Sequence, residues 1–194
     1  MKQKVLSKKI SNYTYDNVEY KAYSHEKIKE MFLQWANELS FREKLALKIY
    51  RTNNFLRCNI NAKLRRGKTP RNANIISTAL GRAVLSENII VYRRLAKCEN
   101  ENMQLHEEND IYLCKDFKGT HVETLIEETG KRGVSAGYMF VLIPQNSIAA
   151  YINDVTPYRK KERELLIDRN QSFLLIKKFT FWERNGYLVK LINT

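Results

Sequence analysis

The sequence predicts an α+β domain in which helices come first and a mixed, two-sheet β core follows. Three observations lead there. Apolar residues recur at helical spacing from residue 25 to residue 65, in "HEKIKEMFLQWANELSFREKLALKIYRTNNFL" and its continuation. At residue 88 the texture changes to short apolar runs bounded by turn residues. Runs of helices followed by runs of strands define the α+β class. The 194 residues fit one domain, read as an N-terminal extension (1–24), a helical part (25–87) and a β-rich core (88–194). An apolar fraction of 43%, with 11 Tyr and 8 Phe, is enough to fill a core.

Taken in order, Ile28, Met31, Phe32 and Trp35 mark one helical face. Ser40 followed by Glu43 reads as a capping box that opens a second helix, with Leu45, Ile49 and Phe55 continuing its apolar face. "RRGKTPRN" is a Gly/Pro loop, and "ANIISTALGRAVL" is a further short helix. "NIIVYRRL" is a buried strand ending in Arg93 and Arg94. Residues 97–110 are polar and acidic and read as a loop. "GYMFVLIP" is a buried strand stopped by Pro144, and "AAYIND" is a short one. "ERELLID", "SFLLIKKFTF" and "YLVKLIN" are three strands, the last two a hairpin joined through "WERNG".

A net charge of +13 favours anionic partners, whether nucleic acid, an acidic protein surface or a phosphate-bearing ligand, besides aiding solubility. The basic residues are spread along the chain and no nucleic-acid reader motif is present, which disfavours nucleic acid. The three cysteines form no C-x-x-C pair and the three histidines are scattered, so neither a disulfide framework nor a metal site is expected. The N-terminus lacks an apolar signal-peptide core and no window approaches a membrane span. The chain therefore reads as cytoplasmic, or as exported by another route or after loss of a leader.

Three features carry chemistry. Glu162 and Glu164 stand at i and i+2, which on a strand places both carboxylates on one face about 7 Å apart. Leu165 and Ile167 then face the core. Two acids together suit reactions at a sugar carbon, where positive charge builds up; a solvated strand edge neutralised by the neighbouring Lys and Arg is the plainer alternative. Arg93, at the end of "IIVY", has the planar fork that grips a diphosphate, although it also reads as an ordinary strand-end cation. Tyr50 and Phe55 offer rings for stacking on a base or a nicotinamide, and Asn59 offers an amide for a ribose or phosphate. The alternative is a helix-packing stripe, which is the reading for Trp35 and Leu39.

This order of an aromatic/Asn helix, a strand ending in Tyr-Arg and a strand with Glu-x-Glu resembles the bacterial mono-ADP-ribosyltransferase toxins of the Arg-Ser-Glu class. It is most similar to the enzymatic components of clostridial and bacillary binary toxins, such as iota toxin. The resemblance runs through Trp35, Leu39-Ser40, Glu43, Tyr50, Phe55 and Asn59, then "ENIIVYRR", "FVLIPQNSIAAYI" and "ERELLIDRNQSFLLIKK". The family's "I-N-x-x-L-R" falls on Ile60 to Arg65, displaced by two residues, so either Asn59 or Asn61 is the ligand-contacting asparagine, with Asn59 preferred. The resemblance implies an ADP-ribosyltransferase fold with NAD as co-substrate. Arg93 would hold the NAD phosphates with Arg94 assisting, Glu164 would be the catalytic glutamate that binds the nicotinamide ribose and stabilises the cationic sugar, and Glu162 would orient an acceptor arginine. One family element has no literal counterpart, a Ser-Thr-Ser strand between the arginine and glutamate strands. Counting back from Pro144 places it at "HVETL", residues 121–125, with Thr124 as partial substitute; Ser135 is another match. The implied partners are a protein target with an acceptor arginine, actin-like by analogy, and a translocation or docking component, after secretion or delivery into a host cell. The alternative is a catalytically inactive transferase-fold module that binds a protein partner.

Overall fold

The computed structural model describes residues 10–122, 135–153, 155 and 163–192. A hairpin of β1 (Asn12–Tyr15) and β2 (Val18–Lys21) opens this part of the chain, turning through Asp16 and Asn17, both at positive φ. Asn and Asp tolerate that backbone region, which suits a two-residue hairpin turn. Five helices follow: α1 (His25–Met31), α2 (Leu33–Glu38), α3 (Phe41–Thr52), α4 (Asn54–Arg65) and α5 (Arg71–Leu80). Side-chain caps set three of the boundaries. Ser24 accepts from Lys27 N, Ser40 and Glu43 form the expected capping box, and Asn53 accepts from Leu56 N. Trp35 and Leu39 are core residues, as read, with Trp35 Nε1 donating to Ala79 O across to α5.

On α3 the buried face is shifted from the expected one. Glu43, Ala46, Leu47, Tyr50 and Arg51 point inward, while Leu45 is exposed and Ile49 half-buried. Spacing of i, i+3, i+4, i+7 and i+8 is intact on this face, but two of its members are charged. Glu43 is buried, which pulls its pKa up. Its bonds to Arg82 and Ser40 outweigh that and hold the carboxyl below the usual range.

The second half begins with β3 (Ile89–Leu95). It continues through α6 (Lys97–Gln104), β4 (Ile111–Cys114), β5 (Lys118–His121), β6 (Gly137–Ile143), β7 (Ala149–Tyr151), β8 (Glu164–Ile167), β9 (Gln171–Phe181) and β10 (Arg184–Ile192). The described strands form one hydrogen-bonded path, β4-β9-β10-β6-β3-β5-β8-β7, with the β1–β2 hairpin attached at β3. It is a mixed sheet, since β10 and β6 run parallel while their other neighbours are antiparallel. Among the described residues, a single pair, Tyr92 with His121, joins β3 to β5. The path thus divides there into a long group and a three-stranded group, β5-β8-β7. The candidate site lies at that joint.

Alternation along β3 separates its two sides. Ile89, Val91 and Leu95 enter the core shared with the helices, whereas Ile90 and Tyr92 enter a second cluster with Tyr20, Phe140, Phe179 and Phe181. The N-terminal hairpin closes this second cluster, with Tyr92 Oη donating to Ile10 O at 2.6 Å.

The segment 97–110 departs from the loop reading, because its first half is α6. It is polar nearly all round and buries only Asn100 and Met103, so it shows no apolar period. Its start is fixed instead by Glu99, whose carboxylate accepts from Ala96 N. The β9–β10 turn is also tighter than "WERNG". It uses only Trp182 and Glu183, both at positive φ, and the ring of Phe179 covers Gly186. The short strands β1, β2, β4 and β5 lie in segments to which the pattern assigned no strand.

Candidate active site

Arg93 points from β3 to the helix side of the sheet. One terminal nitrogen donates to Gly119 O on β5 and the other to Glu99 Oε1 at 2.7 Å. Lys118 Nζ lies 3.2 Å from the same Glu99 oxygen and 3.5 Å from Asp116 Oδ1, and Asp116 in turn pairs with Arg65 of α4. Cations and carboxylates therefore alternate from Arg93 to Arg65. Burial alone would raise the Glu99 pKa, but Arg93 and Lys118 hold it at about 2. Burial would lower the Lys118 pKa, yet the anionic groups around it raise it. Cys114 donates its thiol proton to Asp116, and burial pushes its pKa up to about 12, so it is an inert thiol.

Glu164 opens β8 opposite His121 and is buried, its side chain 7% exposed. Its carboxylate lies over the Cα of Gly119; a Cβ at that position would overlap Glu164 Oε1. Gly119 is thus the point where the two halves of the site meet, its carbonyl held by Arg93 and its bare Cα covered by Glu164. The next residue, Thr120, is fully buried and donates to Leu165 O, tying β5 to β8.

The helical wall reaches the same place. The Tyr50 ring packs edge-on against Phe117, which precedes β5. Asn61 Nδ2 donates to Tyr50 Oη at 3.1 Å and to Phe117 O at 3.4 Å. Burial raises the Tyr50 pKa well above the ordinary tyrosine range, and the nearby Glu164 charge adds to this, while Asn61 and Arg93 oppose it. At neutral pH Tyr50 is therefore a neutral hydroxyl and not a base.

The structure brings Arg93, Glu164, Tyr50 and Asn61 together. It does not do so for every expected residue. Asn61, and not the preferred Asn59, makes the contacts to Tyr50 and the sheet. Phe55 stands at the start of α4 and is 76% exposed. Arg94 is on the opposite face of β3 from Arg93, paired across the ladder with Tyr138 on the second-cluster side, so it cannot assist there. Glu162 and Thr124 lie outside the described residues. Among the described residues, the strand between the arginine and glutamate strands is Lys118–His121; of the expected 121–125 segment, 123–125 lie outside the described residues. That strand reads Lys118-Gly119-Thr120-His121. Ser135 lies elsewhere, at the entry to β6.

Two residues escaped the sequence reading. Arg51 is on the buried face of α3, its guanidinium donating to Asn153 O at 2.8 Å and Asn153 Oδ1 at 2.6 Å. Its Nε is 3.9 Å from Glu164 Oε2. The available signal was helical phase, since Arg51 follows Leu47 by four and Glu43 by eight. Glu99 gives no signal of its own, standing in a polar, acidic segment without an apolar period.

Among the described residues, no His/Cys/Asp/Glu group is arranged to hold a metal, and no helix is long and apolar enough to cross a membrane.

A mixed sheet that brings an arginine strand and a glutamate strand together against a helical wall is the architecture of an ADP-ribosylating enzyme. Residues 24–193 match the family model described as ADP-ribosyltransferase exoenzyme, and the chain belongs to that family. Solved structures with this fold include Plx2a, an ADP-ribosyltransferase toxin from Paenibacillus larvae. Its identity is 17% and its TM-score 0.72, with 87% of this chain and 94% of that chain covered. C3stau2 from S. aureus, solved with NAD, has 15% identity and a TM-score of 0.73 over 90% of this chain and 99% of that one. BECa, the ADP-ribosylating toxin of a C. perfringens binary enterotoxin, was solved with NADH. It has 18% identity and a TM-score of 0.71 over 94% of this chain and 54% of that one. The chain therefore spans nearly all of the first two but about half of BECa. No curated protein matches it in sequence.

Proposed function

We propose that this chain is an NAD-dependent protein mono-ADP-ribosyltransferase directed at arginine, acting as a toxin or effector on a host protein. The observation that carries the reading is the meeting of Arg93 and Glu164 at Gly119, beside Tyr50 and Asn61. Family membership supports NAD as the substrate.

In this mechanism Arg93 holds the NAD phosphates through its planar fork. Glu164 binds the nicotinamide ribose and stabilises the positive charge that develops on the sugar. The bond from the ribose anomeric carbon to the nicotinamide nitrogen breaks, and its electron pair leaves with nicotinamide. A bond from that carbon to an acceptor guanidinium nitrogen forms, and the guanidinium gives up a proton. Glu162 orients the guanidinium and takes this proton late, because free guanidinium is too weak an acid to lose it beforehand. Tyr50, kept neutral, and Asn61 form the helical wall of the site, and Thr120 fixes the middle strand behind Glu164.

The test is nicotinamide release from NAD together with labelling of an arginine on a protein acceptor. Glu164→Gln is expected to remove both activities. Glu162→Gln is expected to spare NAD hydrolysis and stop transfer; equal loss of both would contradict the division of roles. A saturable NAD signal is expected in calorimetry, and none at millimolar ligand would overturn the reading.

One observation favours a second reading, an inactive module that docks on a protein partner such as a translocation component. The family's Ser-Thr-Ser has no literal counterpart in the chain, and Gly119, on the strand beneath Glu164, supplies no side-chain hydroxyl there. That reading predicts partner binding without nicotinamide release.

A further inference from the structure

We infer that Arg51 is the positioning residue for Glu164, filling the role left open by Gly119. The inference rests on the transferase reading above. A carboxylate buried to this degree has to be compensated by a fixed charge or by donors. On the middle strand, the residue directly under the Glu164 carboxylate is glycine. Its lack of a Cβ makes room for the carboxylate, and it has no side-chain hydroxyl to offer. Arg51 approaches from the opposite side, on α3, with a side chain that is 0% exposed.

The Arg51 guanidinium is held in place. Two nitrogens are committed to Asn153, one to its carbonyl and one to its side-chain oxygen. This fixes the plane of the fork and leaves Nε 3.9 Å from Glu164 Oε2. At that distance the contact is an ion pair without a direct hydrogen bond. In a dry environment such a pair acts strongly even at this range. Tyr50 precedes Arg51 on the helix and faces Asn61 and Phe117, so α3 presents a wall residue and the carboxylate's counter-charge side by side. Arg51 is thus placed to set the position of Glu164 without being part of the diphosphate grip at Arg93.

The test combines kinetics with a thermodynamic cycle. Nicotinamide release is measured for wild type, R51K and R51M, with NAD affinity from calorimetry. R51M is expected to lower kcat by about 100-fold while leaving KM for NAD within about threefold, and R51K to restore about tenfold of the loss. Wild-type kcat in R51M would overturn the inference, as would a loss carried mainly by KM. The second measurement is denaturant unfolding of R51M, R51K, E164Q and the pairs R51M/E164Q and R51K/E164Q. Non-additivity of at least about tenfold in the unfolding constant is expected for R51M with E164Q, and less for R51K. Additive effects would overturn the inference. Should R51M not fold, the R51K cycle and its kinetics decide. Should wild type release no nicotinamide, the transferase reading fails by itself, and the unfolding cycle alone judges the Arg51–Glu164 pairing.

Discussion

Arg93 and Glu164 both converge on Gly119, but their surroundings differ. Arg93 belongs to a chain of alternating charges through Glu99, Lys118 and Asp116 to Arg65, and its outer members touch solvent. Glu164 is dry, covered on one side by a glycine and faced on the other by Arg51. A network distributes its charge over several partners, so losing one member is tolerated. A fully buried pair is less forgiving, because deleting one partner leaves the other charge buried and less well compensated. The Arg93 end should therefore respond to substitution mainly in substrate binding, and the Glu164 end in both chemistry and stability.

The largest effect is expected for Glu164→Gln, which should lower nicotinamide release by about 1,000-fold, near the upper end for loss of one electrostatic stabiliser. Retained release would break the contrast at its catalytic end. Next comes Arg93→Lys, which keeps the charge but loses the fork. It should weaken NAD binding by about tenfold or more with a smaller change in kcat, read from initial rates against NAD concentration. The acid response of Glu99 follows. Its folded pKa, about 2, is below the unfolded carboxylate value. The stability it contributes is therefore fully present above about pH 5 and lost as pH falls through the range toward 2. Glu99→Gln should flatten the fall in stability between those limits, measured by thermal unfolding against pH, and leave the neutral range without a new pH dependence.

The smallest effects sharpen the comparison. Asn61→Ala should weaken NAD turnover several-fold, and Asn59→Ala should not, because only Asn61 ties Tyr50 to the sheet. Arg94→Ala should stay within about twofold of wild type in nicotinamide release, since it stands on the far side of β3. Equal losses at Arg93 and Arg94 would show that the face assignment is wrong.

Much of this was legible in the sequence. The capping box at Ser40, the buried strands holding Arg93 and Glu164, and the β9–β10 hairpin all carry strong local signals. The rest was hidden for physical reasons. Lys118-Gly119-Thr120-His121 is a four-residue strand without apolar alternation, made a strand by its neighbours on both edges. The α6 helix has almost no apolar face and is anchored by ion pairs that no periodicity displays. Arg51 is a charge on a core face, which hydrophobic patterning counts as an error in phase. Motif spacing alone cannot tell which of Asn59 and Asn61 turns its amide toward Tyr50, and it is Asn61 that does so.

The most direct measurement is an NAD titration by calorimetry on wild type, Arg93→Ala and Glu164→Gln. One shared site predicts saturable binding to wild type, its loss in Arg93→Ala, and its retention in Glu164→Gln despite lost turnover. No binding to wild type, or binding indifferent to Arg93, would contradict that a single NAD site is built around Gly119.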